Sequence, residues 1–328
     1  MHLQQPLIQL PISFCADTLA EEVRALPADA WVPHPQGFPG NEAVPLVTPG
    51  GEVTDSFLGQ MGPTEALRSC PYIMEVMREI GAVWGRGRLM GLGPGAEVPE
   101  HVDVKYYWRT HTRIHIPVIT NPEVHFTCGG QTVHMGAGEC WVFDTFQNHT
   151  VTNGGQAQRI HLVLDTVGGL NLWDLIEAAQ SKNAGGPRAV RVGEGKGGAL
   201  LFERFQAPRI MSPWELRFHV DQLVERCVPS SELDDVRRCL DRFINGWFAA
   251  WAIYRADDAG LPGYRELVVS AREDLNAING TEILLNNGRL LYNVLDVLLF
   301  GNAVAPVPIR NSIDLAAAAI GVDLRRTA

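Results

Sequence analysis

Three short runs constrain what this chain can fold into: RIHIPVI (113–119), ECWVFDTF (139–146) and RIHLVLD (159–165). Each has the length of a strand, is rich in β-branched and aromatic residues, and has Gly, Pro or Asn within a few residues of its ends. Residues 1 to about 170, rich in Gly, Pro and runs of this kind, are therefore predicted to be mainly sheet. Helical patterning intrudes at 17–26 and 63–81, and these helices are expected on the outside of the sheet. Pro71 should break or offset the second of them.

Past residue 170 the texture changes. The glycine-rich stretch KNAGGPRAVRVGEGKGGA (182–199) reads as a linker or mobile loop, which sets a boundary region at 171–200. From 201 to 328 the period is helical. Ser212, Pro213 and Glu215 form a capping-box signature ahead of WELRFHVDQLVERC. Further helices are predicted at about 231–255, 263–278, 281–299 and 311–321, with Gly280 and Gly301 as C-caps. This helical region is expected to serve as a lid, a substrate-selecting element or a homodimer surface.

Charge narrows the partners. A formal net charge of −10 leaves no basic footprint for nucleic acid or an anionic membrane surface. No run approaches the length that crosses a bilayer, and MHLQQPLIQLPISFC lacks the basic start and long apolar core of a signal peptide, so a cytoplasmic protein is expected. Six cysteines without a C-x-x-C pair read as buried thiols. A small molecule or a protein segment is the expected partner.

The chemistry sits in HVDVKYYWRTHTRIHIPV (101–118) and its surroundings. Residues i and i+2 of a strand project to one side, so His101 and Asp103 aim an imidazole and a carboxylate at one point. A third ligand must come from elsewhere, and His149, just beyond an apolar strand, is the best candidate. Two histidines and one carboxylate form the facial triad of non-haem Fe(II) oxygenases and leave three coordination positions open. Arg159 follows an Asn153-Gly154-Gly155 turn, and a hairpin there would return it alongside the strand of His149. Its guanidinium can hold the distal carboxylate of 2-oxoglutarate bidentately.

The segment from PGAEVPEHVD through RTHTRIHIPV to WVFDTFQNHTVTNGGQAQRIHLVLD, about residues 85 to 167, resembles the aspartyl/asparaginyl β-hydroxylase family of Fe(II)/2-oxoglutarate dioxygenases. The resemblance implies an α+β fold with a double-stranded β-helix core, a cupin-like jelly roll, flanked by helices. By it, His101, Asp103 and His149 match the metal ligands and Arg159 the 2-oxoglutarate arginine. Asp103 is kept by the bacterial proline-hydroxylase-like members and lacking in the animal peptidyl enzymes. Halogenases leave that position small for chloride, so hydroxylation is implied. RIHIPV matches an R-x-H stretch of the family: Arg113 would grip a substrate carboxylate and His115 the near carboxylate of 2-oxoglutarate, or the reverse. Arg88, in GRGRLMGLGPG, is a weaker candidate for substrate contact.

The expected activity is therefore an Fe(II)/2-oxoglutarate-dependent hydroxylase. It would use O2 to oxidise an unactivated C–H of an amino acid, free, peptidyl or carrier-bound, with release of succinate and CO2. Two other classes compete: a cupin-like metal or ligand sensor without turnover, and a scaffold whose helical half binds a partner. The complete triad and Arg159 argue against both.

Overall fold

The computed structural model describes residues 3–33, 38–57, 59–181, 186–204 and 209–304. Two compact units emerge: Met1–Asp103 with Thr110–Gln206, and Val104–Arg109 with Ala207–Ala328.

In the first unit β1 (Leu7–Phe14), β2 (Val32–Pro33), β3 (Asn41–Pro49) and β4 (Met61–Pro63) precede β5 (Val83–Leu92) and β6 (Glu97–His101). Then come β7 (Thr112–Ile119), β8 (Val124–Cys128), β9 (Gln131–Val133), β10 (Glu139–Phe143), β11 (His149–Asn153) and β12 (Arg159–Gly168), with β13 (Arg188–Val190) and β14 (Leu201–Phe202) last. One sheet runs in the order β13, β1, β10, β7, β12, β5, β3, β2, with β14 on β5 and β4 on β3. The other is β6, β11, β8, β9. From β5 to β12 the chain passes repeatedly from one sheet to the other, so that β7, β10, β11 and β12 each lie between partners that are not their neighbours in sequence. That winding is the double-stranded β-helix of a jelly roll.

The three sequence runs occupy β7, β10 and β12 of the large sheet. Their alternation explains the packing. Ile114, Ile116 and Val118 are buried on one side of β7, where α1 (Ala16–Ala25) packs. The other side faces the space between the sheets, which Leu92, Phe126, Phe143 and Val151 help to fill. Phe126 and Phe143 meet edge to face at 4.9 Å. Gly129 and Gly130, at φ +55° and +78°, make the two-residue turn joining β8 to β9, a geometry that excludes most side chains.

The helix expected at 63–81 is split as Pro71 predicts. It becomes α2 (Glu65–Arg68) and α3 (Pro71–Ile80), with Thr64 capping α2 through Leu67 N at 3.3 Å. The hairpin expected at Asn153 is not one: β11 and β12 belong to different sheets, and residues 154–158 cross between them. The buried Asn153 amide braces that crossing, donating to Leu92 O at 2.9 Å and Ala157 O at 2.8 Å. The stretch expected as a linker also carries structure. It holds α4 (Leu170–Gln180) and β13, which pairs with β1. Glu75 accepts from Gly193 N and Gly195 N at 3.1 and 2.7 Å, and Glu79 from Lys196 N at 2.9 Å. Carboxylates on α3 thus satisfy backbone that has little of its own to bury.

The second unit is helical: α5 (Pro213–Val224), α6 (Leu233–Tyr254), α7 (Leu261–Ala277) and α8 (Leu291–Leu295), the last running into a π-turn at Asp296–Phe300. Ser212 caps α5 by accepting from Glu215 N at 3.2 Å. The Glu215 carboxylate instead accepts from Tyr106 Oη and Arg109 Nε, both at 2.8 Å. Trp247 and Tyr264 pack with ring centroids 4.5 Å apart and planes inclined at 45° in the core. The helix expected at 281–299 begins only at Leu291. Before it, Asn287-Gly288 makes a tight turn, with Gly288 at φ +76° and Leu285 N donating to Arg289 O at 2.8 Å. Asn279 (φ +53°), not Gly280, takes the left-handed position after α7. Gly301 follows the π-turn at φ −79°. The helix expected at 311–321 lies outside the described residues. No described helix is long and apolar enough to cross a membrane.

Candidate active site

His101 ends β6, Asp103 lies two residues beyond it, and His149 opens β11, which pairs with β6 so that His149 and His101 are register partners. One potential ligand atom from each of the three lies within 4.8 Å of the others. The backbone fixes both imidazoles. His101 Nδ1 is 2.8 Å from Pro99 O and His149 Nδ1 is 2.9 Å from Gln147 O. A carbonyl only accepts, so each Nδ1 carries the proton and each Nε2 presents a lone pair. His149 Nε2 is buried without a hydrogen-bond partner and lies 3.8 Å from Asp103 Oδ2. Burial, only partly offset by Asp103, pushes the His149 imidazolium down to about 4. Two imidazole nitrogens and one carboxylate on converging elements are a donor set that suits a ferrous ion.

Asp103 and Asp144 are set by the backbone as well. Asp103 N donates to Thr145 O at 3.0 Å. Asp144 accepts from Phe146 N at 3.0 Å through its side chain and from Gln147 N at 3.1 Å through its carbonyl. It therefore shapes the turn that delivers the Gln147 carbonyl to His149.

The inner face of the large sheet carries a ladder of polar side chains. In register, Asp165 faces Arg113, Val163 lies between His115 and Arg88, His161 between Pro117 and Met90, and Arg159 faces Leu92. At the first rung Arg113 Nε donates to Asp165 Oδ1 at 2.9 Å and Arg113 Nη1 to Asp103 Oδ2 at 3.1 Å. Arg86 Nε lies 3.6 Å from Asp165 Oδ2. Burial alone would raise the Asp103 carboxyl; the Arg113 guanidinium, with Arg86 farther off, outweighs it, and the net direction is down. Arg113 thus touches a candidate metal ligand directly. Arg88 makes no hydrogen bond or ion pair among the described residues, and burial together with Arg86 and Arg113 lowers it to about 9.

Farther along β12 the pattern inverts. Arg159 is 3% exposed, and its Nε and Nη2 have no hydrogen-bond partner. Burial pushes its guanidinium down to about 9, still protonated at neutral pH. His115 Nδ1 and both nitrogens of His161 are also buried without partners. Burial first, then Arg159, holds both imidazoles well below the usual histidine range.

Other polar residues of the 101–118 segment are engaged elsewhere. Arg109 pairs with Glu215 at 2.8 Å and His111 with Glu203 at 2.8 Å. Asp165 and Arg86 were not anticipated from the sequence. Period two with Arg113 and His115 as inward residues marks Asp165 only once the β7–β12 register is known.

The family model described as Aspartyl/Asparaginyl beta-hydroxylase matches residues 55–168. The L-proline cis-4-hydroxylase of Rhizobium meliloti (strain 1021) is 29% identical over 105 residues, which is 31% of this chain and 37% of that relative's length. A Pseudomonas putida prolyl-4-hydroxylase structure is similar at 17% identity and a TM-score of 0.34, covering 50% of this chain and 93% of its own. A 2OG-Fe(II) oxygenase family oxidoreductase from Burkholderia pseudomallei is similar at 13% identity and a TM-score of 0.33, covering 48% and 93%. The resemblance carried by His101, Asp103, His149 and Arg159 is thus a resemblance to the aspartyl/asparaginyl β-hydroxylase family, whose match spans all four residues.

Proposed function

We propose that the protein is an Fe(II)- and 2-oxoglutarate-dependent dioxygenase that hydroxylates an unactivated C–H of an amino acid, free, peptidyl or carrier-bound. One atom of O2 would enter the substrate as hydroxyl and the other the succinate formed with CO2. The observation that carries this reading is the pairing of two lone-pair imidazole nitrogens and a carboxylate with a buried, unpartnered arginine on the same barrel's inner face. Iron held by His101, Asp103 and His149 supplies the oxidising chemistry.

The residues of the chain bind and orient. Arg159 neutralises the distal carboxylate of 2-oxoglutarate and gives it two N–H groups that are otherwise unmet. His115, nearer the metal ligands through the shared Phe143 ring, offers Nδ1 to the near carboxylate. Arg88, without a hydrogen bond or ion pair among the described residues, offers its guanidinium to a substrate carboxylate, and Arg113 borders that position while holding Asp103. The apolar wall of Phe126 and Phe143 excludes water from the reacting carbon. The curated relative acts on L-proline, so free proline heads the substrate panel.

The test is anaerobically prepared Fe(II) protein given 2-oxoglutarate, O2 and a panel of amino acids and short peptides, scored by mass spectrometry for one added oxygen and by succinate release. His149→Ala is expected to abolish both. Full turnover by that variant with Fe(II) supplied overturns the assignment.

A further inference from the structure

We propose that His161 is a second contact to the distal carboxylate of the 2-oxo acid, donating one N–H beside Arg159 and setting the length of acid that the pocket accepts. The inference rests on the function proposed above.

His161 is 1% exposed, yet neither ring nitrogen has a hydrogen-bond partner. Buried polar groups are nearly always met, so an imidazole with both nitrogens unmet, in a strand where a Leu or Phe would pack as well, calls for a missing partner. Its position says what kind. The β12–β5 register is unbroken from Arg159 to Leu164, so His161 and Arg159 share a face. Arg159 has two unmet N–H groups at the next rung on one side. On the other side His115, with Nδ1 unmet, meets the His161 ring edge on at 5.6 Å.

A ligand meeting all of these is an elongated anion with acceptors at both ends. Neutral His161 adds a donor without a second positive charge, which matches one arginine to one carboxylate. Because His161 stands on the rung between His115 and Arg159, an acid gripped near His115 must span that rung to reach the guanidinium.

The experiment uses full-length protein loaded with Mn(II), which keeps the site filled without turnover. Binding of 2-oxoglutarate and its one-carbon-longer homologue 2-oxoadipate is read by calorimetry. His161→Phe, which keeps a planar ring but no donor, is expected to weaken 2-oxoglutarate by roughly tenfold to hundredfold. His161→Gln retains a donor and should stay within a few fold. His161→Ala opens the rung and should narrow the preference for 2-oxoglutarate over 2-oxoadipate. Mn(II) affinity should be unchanged in all three.

Wild-type affinity in His161→Phe, or loss of Mn(II) together with the acid, overturns the inference. If the Phe variant does not fold, an unchanged acid preference in His161→Ala overturns it instead. Wild-type protein that binds Mn(II) but no 2-oxoglutarate sinks the proposed function itself, and this inference with it.

Discussion

Around Asp103, Arg113 bonds two carboxylates, and Arg86 lies beside the second of them. Farther along the same sheet face, Arg159, His161 and His115 hold five buried polar atoms that nothing among the described residues meets. The contrast separates two uses of buried charge. The first cluster is paired charge to charge as folded: its arginines face carboxylates, hold a ligand carboxylate in place and hold its pKa down. The second is complete only with a ligand, and the desolvation of Arg159 without a counter-charge is a cost carried by the free protein. Removing a charge should therefore have opposite effects on stability at the two places.

The largest effect is expected at the satisfied cluster. Asp165→Asn leaves Arg113 and Arg86 without their shared carboxylate and should destabilise the metal-free protein by about 3–5 kcal/mol, read by urea unfolding. An unaltered midpoint would mean that this network contributes nothing.

At the unsatisfied end, Arg159→Met removes a buried, uncompensated cation. The metal-free protein should be equally stable or gain about 1–4 kcal/mol, while 2-oxoglutarate binding weakens roughly a hundredfold or more. A destabilised Arg159→Met protein would erase the distinction between the two places.

A smaller effect follows from protons. His115 and His161 have folded-state pKa values well below 6.5, so on acidification the unfolded chain takes up protons first. Their contribution is fully present above pH 6.5 and is lost as the pH falls below it, by up to about 1.4 kcal/mol per pH unit for each imidazole. His161→Phe should flatten the slope of stability between pH 6.5 and 5 by one such increment. A slope unchanged in the variant would mean that His161 titrates normally.

The same contrast shows how far sequence reading reaches. The metal candidates were legible because two of them sit two residues apart and the third follows a strong strand pattern. Asp165 was not, since its role depends on Arg113, 52 residues away, and on a register that no local pattern specifies. Glycines 193 and 195 suggested a mobile linker because their acceptor, Glu75, lies 118 to 120 residues earlier. At 281–299 a leucine-rich helical period masked the Asn287-Gly288 turn signal that was plainly there. The sheet-rich half was legible because β-branched runs of strand length leave few alternatives, whereas its jelly-roll winding came from the family resemblance and not from any local pattern.

The most direct test of the account is a crystal structure with Mn(II) and 2-oxoglutarate. The account predicts the ion on His101 Nε2, His149 Nε2 and the Asp103 carboxylate, with the distal carboxylate of 2-oxoglutarate on the Arg159 guanidinium. An ion bound by other residues, or a 2-oxoglutarate whose distal carboxylate lies away from Arg159, would contradict it.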